Sequence, residues 1–101
     1  MNKWRSPTAE KIYRNNPLLN VRSAGTSSKA RRRVSGGDLK WADVVFVMET
    51  KHKQRLVANH PELMKYLETH VLDIEDNYRY MDQALIDELR ASIDPVLEGY
   101  A

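Results

Sequence analysis

The residues best suited to chemistry stand at the beginning of the chain, in the run Met1-Asn2-Lys3-Trp4-Arg5-Ser6-Pro7-Thr8-Ala9-Glu10. Ser6 is a favourable N-cap, because its hydroxyl can accept a hydrogen bond from a backbone N–H at a helix start. Pro7 would then occupy the first helical position, and Glu10 would lie in the first turn. Arg5 directly precedes this helix start. A guanidinium beside unpaired backbone N–H groups favours an oxyanion such as phosphate. The alternative is an ordinary capped helix with a solvated Arg5.

The same run resembles the second half of the phosphate-binding loop of low-molecular-weight protein tyrosine phosphatases. The loop of that family follows the pattern C-x5-R-S/T and usually continues as P-T/M-A-E. A bacterial subgroup has the similar form N-[RK]-W-R-S-P-T-A-E. The matching residues are Asn2, Arg5, Ser6, Pro7, Ala9 and Glu10, with Thr8 as an allowed variant. Trp4 departs from the commonest form of the family but resembles the bacterial subgroup. The family's nucleophilic Cys would lie two positions before Met1, and this chain has no Cys. The resemblance therefore implies a chain truncated inside the loop, without the nucleophile.

A second match follows the last predicted strand, in Asp73-Ile74-Glu75-Asp76-Asn77-Tyr78. The family carries its general acid here in a D-P-[YF] motif. By resemblance, Asp76 is the acid and Tyr78 is the aromatic residue lining the substrate cleft, while Asn77 replaces the proline. Without the resemblance, Asp76 is an ordinary loop carboxylate. Further segments that look familial are Ser23-Ala24-Gly25-Thr26, Trp41-Ala42-Asp43 and Met48-Glu49.

The mechanism implied by the resemblance is two-step phosphoryl transfer through a cysteinyl-phosphate intermediate. A Cys thiolate attacks phosphorus, and Asp76 protonates the leaving phenolate and then activates water. Ser6 would hydrogen-bond the thiolate, and Asn2 would brace the loop. The phosphate-binding residues implied are Asn2, Lys3, Trp4, Arg5 and Ser6. The substrates implied are a phosphotyrosine-containing protein or a small aryl phosphate, with inorganic phosphate as product and no metal or cofactor.

Without the nucleophile, we expect this chain to be inactive, since the remaining groups can only bind and polarise the substrate. One alternative is a non-enzymatic module that binds phosphate or phosphotyrosine. Another is an arsenate reductase of the same fold, which would need several cysteines. A third is a small nucleic-acid binder using Arg31, Arg32 and Arg33, although so short a basic run is usually a solvated helix face.

Hydrophobic periodicity predicts helices and strands in alternation. The predicted helices are 7–15, 36–42, 50–59, a turn from Pro61 through Leu67, and a long helix capped by Asp82 that Pro95 kinks or restarts. The predicted strands are 19–26, 44–48 and 70–74. Ser35-Gly36-Gly37-Asp38 predicts a capping box, after which Leu39 and Trp41 would pack inward or along the sheet. The apolar run Val44 to Met48 is typical of a strand buried on both faces of a parallel sheet.

This order predicts a three-layer α/β/α sandwich with a small parallel sheet, in one domain over residues 1–101. The resemblance implies a fold like that of phosphotyrosine protein phosphatase I, with the first central strand missing from this chain. That strand would lie between the strands near Val21 and Phe46. Its loss would leave unpaired sheet edges and favour poor folding, re-pairing or aggregation.

Composition is that of a globular protein with a single core: 42% of the 101 residues are apolar and 30% are charged. The net charge of +2, from 16 basic and 14 acidic residues, is too balanced to require a nucleic-acid or membrane partner. No membrane span or signal peptide is evident, so we expect a cytoplasmic protein. The histidines show no metal-ligand spacing and are expected to be isolated surface residues: His52, His60 and His70.

Overall fold

Helices and two parallel strands make up the computed structural model, which describes residues 5–16, 19–21, 33–75 and 77–99. The elements are α1 (Arg5–Tyr13), α2 (Gly36–Trp41), β1 (Val44–Val47), α3 (Thr50–Asn59), α4 (Pro61–Met64), β2 (Glu68–Val71) and α5 (Gln83–Glu98). They fall into two compact units. The helix unit comprises Met1–Val21 and Ile74–Ala101, and the sheet unit comprises Arg22–Asp73.

The sheet unit confirms the predicted mixed α/β class with a small parallel sheet. β1 and β2 pair in parallel, with Val44 opposite Glu68 and Val47 opposite Val71. A further backbone hydrogen bond of 2.8 Å, from Leu72 N–H to the Val47 carbonyl, follows the paired residues. The core cluster consists of Leu39, Val47, Leu56 and Met64. Parallel strands need a long crossover, and α3 and α4 supply it here. The three-layer sandwich and the missing central strand stay predictions, as does the single domain.

α2 has the capping box that the sequence predicts. The Ser35 hydroxyl accepts from Asp38 N–H at 3.2 Å, and the Asp38 carboxylate accepts from Ser35 N–H at 3.0 Å. Leu39 is buried, as expected. Trp41 does not pack inward, because it is 40% exposed, and its packing along the sheet stays a prediction. Trp41 is the last residue of this six-residue helix, two positions from Leu39, and residues two apart point in different directions on a helix.

α3 has the predicted bounds, and Pro61 begins α4. Proline tolerates this first position because its missing N–H would have no partner there. α4 ends at Met64, before the predicted Leu67, although Leu67 still packs against the core cluster.

β2 lies two residues earlier than predicted, at 68–71 in place of 70–74. Asp73 has φ +57°, in the left-handed region, so extended backbone cannot run through it. The apolar residue that suggested a longer strand, Ile74, is fully buried in the helix unit. The expected burial of β1 on both faces is also incomplete, since only Val47 of the strand is fully buried.

In the helix unit, α1 packs with α5. α5 is capped by Asp82 as predicted, because the carboxylate accepts from Ala84 N–H at 3.0 Å. Its buried residues recur at helical spacing: Leu85, Leu89 and Ile93. α5 is one helix through Pro95 to Glu98, so the predicted restart at Pro95 was wrong, while the kink stays a prediction.

α1 begins at Arg5, so the predicted cap at Ser6 was wrong. Ser6 lies inside the first turn, and Glu10 lies beyond it. Of the predicted strand 19–26, residues 19–21 are not in a strand, and residues 22–26 lie outside the described residues.

Candidate phosphate site

Arg5 joins the two segments that the sequence singles out. Its side chain is buried, with 7% exposure, and Nη1 donates a 2.6 Å hydrogen bond to the carbonyl oxygen of Ile74. The two residues are 69 positions apart in the chain. Ile74 lies two residues before Asp76, the predicted acid. The first turn of α1 therefore contacts the backbone that leads into the predicted acid motif.

We call residues 74–82 the acid loop. Asp76 lies outside the described residues, as do Asn2, Lys3 and Trp4 of the predicted phosphate loop. Ser6 is half-buried. The structure thus brings together Arg5 and the acid loop, and the positions of Asp76, Asn2, Lys3 and Trp4 stay predictions.

Tyr78 is fixed to α5 through its hydroxyl, which donates a 2.7 Å hydrogen bond to a carboxylate oxygen of Glu88. This hydrogen bond is the main cause that raises the pKa of Tyr78, and desolvation and nearby carboxylates act in the same direction. Tyr78 therefore keeps its proton at neutral pH. Its ring, half-buried in the acid loop, has a defined anchor at the hydroxyl end.

A second contact joins α1 to the acid loop. The Thr8 side chain is fully buried, and its hydroxyl oxygen accepts a 3.0 Å hydrogen bond from Met81 N–H. Met81 has φ +61°, a left-handed conformation that is uncommon for a residue other than glycine. The hydrogen bond thus stabilises a backbone geometry that local preference disfavours.

Tyr13 joins α1 to α5 at the other end of the helix. Its hydroxyl donates to the Asp94 carboxylate, and the Arg90 guanidinium lies 5.9 Å from the centre of its ring. Burial is the first cause that raises the pKa of Tyr13, followed by the hydrogen bond to Asp94. Tyr13 therefore remains neutral and serves packing.

The long-range partners of the site were not anticipated from the sequence. Thr8 appeared only as an allowed variant in the motif, although its spacing of three from Arg5 places both on one helix face. Glu88 carries no local signal, since nothing near it distinguishes it from other exposed helix carboxylates. The carbonyl of Ile74 and the N–H of Met81 are backbone groups, which a sequence pattern cannot reveal.

Metal binding has no support in the part of the chain that the structure describes, where no group of three His, Cys, Asp or Glu side chains is placed to hold an ion. The histidines are half-buried, which corrects the expectation of isolated surface residues. His52 Nδ1 accepts from Glu49 N–H at 3.1 Å, which helps to cap α3. His70 contacts Glu68 and stacks on Phe46 with ring centres 5.6 Å apart.

The arginine run has little described structure. Arg31 and Arg32 lie outside the described residues, and Arg33 is exposed. Arg33 also lines an open pocket of about 330 Å³ with Val34, Leu56, Asn59 and His60. Only one of the three arginines is described, so the nucleic-acid alternative stays a prediction.

No protein-family model, curated protein or solved structure matches the chain. The family resemblance therefore rests on the two sequence motifs. No helix within the described ranges is long and apolar enough to cross a bilayer.

Proposed function

We propose that this chain is part of a cytoplasmic low-molecular-weight protein tyrosine phosphatase. In this proposal Arg5 binds the phosphate of phosphotyrosine or of a small aryl phosphate. Asp76 is the general acid, and Tyr78 lines the cleft that takes the aromatic ring. The 101 residues contain no Cys, so the thiolate nucleophile must come from residues outside them.

The observation that carries this proposal is the hydrogen bond from Arg5 to the carbonyl of Ile74. The two motifs are far apart in the sequence, and Arg5 and Ile74 are separated by 69 positions. A phosphatase of this kind needs its phosphate-binding arginine near its general acid, because both act on one phosphomonoester. Contact between Arg5 and the segment leading to Asp76 supports this proximity.

Arg5 suits phosphate binding by its chemistry. A guanidinium is always charged, and its planar array of five N–H donors matches the geometry of a phosphate group. Burial strengthens its attraction for an anion, because the local dielectric is lower than in water. The start of α1 adds the positive end of a helix dipole.

Proton transfer would then depend on Asp76. In the first step the acid gives its proton to the leaving phenolate oxygen, and in the second it takes a proton from the attacking water. Tyr78 is neutral at neutral pH, and its hydrogen bond to Glu88 raises its pKa further, so it adds no negative charge that would repel the phosphate.

A binding module without catalysis is the second candidate, favoured by the lack of any Cys. Such a module would use Arg5 in the same way. It would bind phosphate or phosphotyrosine and release it unchanged.

Hydrolysis of an aryl phosphate separates the two candidates. We expect no turnover by the 101-residue chain, and turnover by a version extended before Met1 with an apolar strand that ends in Cys-Ser. In the extended version Asp76→Asn should slow hydrolysis by about 10²–10⁴-fold. Glu75→Gln is the matched control, since it removes an exposed carboxylate one position away, and it should have little effect.

Two outcomes would contradict the enzymatic proposal. One is enzymatic turnover by the chain without any Cys, which would require another nucleophile. The other is an extended version that folds and binds phosphate but does not hydrolyse the ester, which would favour the binding module.

A further inference from the structure

α1 holds the acid loop at both ends with side chains from one helix face. Arg5 and Thr8 are three residues apart, so they lie side by side on α1. Arg5 contacts the first residue of the loop, Ile74, and Thr8 contacts its penultimate residue, Met81. Because the two anchors are neighbours, the ends of the loop lie close together, as in a compact surface loop.

The two contacts differ in what they fix. The bond from Arg5 ends on a carbonyl oxygen, whereas Thr8 receives the N–H of a residue with φ +61°. A buried donor without a partner is unfavourable, and so is a left-handed backbone at a methionine. Thr8 stabilises both features with one hydroxyl, so the conformation of Met81 depends on it directly.

The middle of the loop has its own anchor. The Tyr78 hydroxyl donates a 2.7 Å hydrogen bond to Glu88, which ties the ring to α5. Three residues later, the backbone of the loop is tied to Thr8 through Met81 N–H. A change in the backbone at Met81 would therefore act on a loop segment that also carries the Tyr78 ring and its hydrogen bond to Glu88.

We infer that Thr8 is a positioning residue that sets the place of the Tyr78 ring relative to Arg5, and so favours phosphate esters that carry an aromatic ring. This inference rests on the proposed function of Arg5 and Tyr78. Thr8 does not touch the ligand itself. Its effect is therefore on the aromatic part of the ligand and not on phosphate alone.

The test compares inorganic phosphate with phenyl phosphate as ligands of the 101-residue chain, followed by NMR. Thr8→Val keeps the shape of the side chain and removes the hydroxyl, whereas Thr8→Ser keeps the hydroxyl. We expect Thr8→Val to speed hydrogen exchange of the Met81 amide by about tenfold, the effect of losing one modest hydrogen bond. It should weaken phenyl phosphate binding by several-fold and leave phosphate binding nearly unchanged. Thr8→Ser should restore both properties.

Ile93→Val is the matched control. It removes a methyl group from a buried residue of α5, so it lowers stability in the same unit without touching the loop. We expect the ratio of the two affinities to stay at the wild-type value.

The outcomes separate this inference from the proposed function. If Thr8→Val changes neither the Met81 exchange nor the ratio of affinities, or if Ile93→Val changes that ratio as much, the role of Thr8 is wrong and the phosphate site stands. If wild type binds neither ligand near Arg5, the proposed function is wrong, and the ligand preference assigned to Thr8 is wrong with it. If, in addition, Thr8→Val left the exchange of the Met81 amide unchanged, the stabilising role of the Thr8 hydroxyl would be wrong as well.

Discussion

Within each of the two units, the side-chain hydrogen bonds join residues at different separations along the chain. In the sheet unit, hydrogen bonds between Ser35 and Asp38 and between Glu49 and His52 join residues only three apart. In the helix unit, the bond from Arg5 spans 69 residues and that from Thr8 spans 73. Local bonds shape single elements, whereas long-range polar bonds select one arrangement of distant segments. The helix unit is thus the better candidate for a site that needs defined geometry.

Both units nevertheless depend on apolar burial for their stability. The substitution expected to lower the free energy of unfolding most tests this in α5. Leu89→Ala should destabilise the chain by about 2–5 kcal/mol, because it removes a fully buried side chain and leaves a cavity. Leu97→Ala is the control on the same helix, where the side chain is only half-buried. Urea unfolding measures both. Equal losses would mean that burial in α5 does not determine the stability of the helix unit.

The next effect concerns the buried arginine. Arg5→Met should lower the free energy of unfolding by about 1–3 kcal/mol, because the carbonyl of Ile74 loses its partner in a buried position. Arg14→Met removes an exposed arginine one residue after α1 and should change stability by no more than about 0.5 kcal/mol. Urea denaturation of both variants checks the difference. If Arg5→Met lowered the free energy of unfolding as little as Arg14→Met, the long-range bond to Ile74 would not stabilise the helix unit.

The Tyr13 contact adds a pH dependence. Its pKa is raised in the folded state, so the folded protein holds the proton after the unfolded chain, with a pKa of about 10, has released it. The contribution of Tyr13 to the free energy of unfolding is therefore constant below about pH 10. Above that pH it falls by up to about 1.4 kcal/mol per pH unit.

Urea unfolding between pH 8 and 11 measures this slope, and Tyr13→Phe should make it shallower. Tyr66→Phe is the control, because Tyr66 is 81% exposed and should leave the slope unchanged. The same slope in wild type and Tyr13→Phe would show that the burial of Tyr13 and its bond to Asp94 do not affect the stability of the helix unit.

The smallest effect lies in the sheet unit. Ser35→Ala should cost about 1 kcal/mol, since it removes the N-cap of α2. Ser35→Asp should retain most of the stability, because its carboxylate can accept the same N–H. Thermal melting measures the stability of the two variants. For Ser35→Ala, amide hydrogen exchange should be faster in α2 than in wild type. A loss that extended through the helix unit would contradict the local character of this cap.

The sequence predictions were accurate where the signal was local. The bounds of α3 and the capping box of α2 were confirmed, because a proline and a box of four residues are local signals. β2 was placed two residues late, since the burial of Ile74 resembles that of a strand residue. The start of α1 was also placed late, at Pro7, because a plausible cap stands at Ser6.

The candidate site was predictable only in part. The motif around Arg5 marks it as a possible phosphate ligand, because arginine before a helix start suits an oxyanion. Its bond to Ile74 and the bond of Thr8 to Met81 involve backbone atoms at the far end of the chain. Such contacts follow from the packing of α1 against the acid loop, which no local pattern encodes.

Titration of the 101-residue chain with inorganic phosphate tests the central claim most directly. We predict NMR shifts at the Arg5 side chain and at the amides of Ser6, Thr8 and Ala9. The dissociation constant should be in the millimolar range, about −4 kcal/mol, and Arg5→Met should abolish the shifts while Arg14→Met keeps them. Shifts centred on Arg33, with none between Arg5 and Ala9, would contradict the claim and place the anion site in the sheet unit.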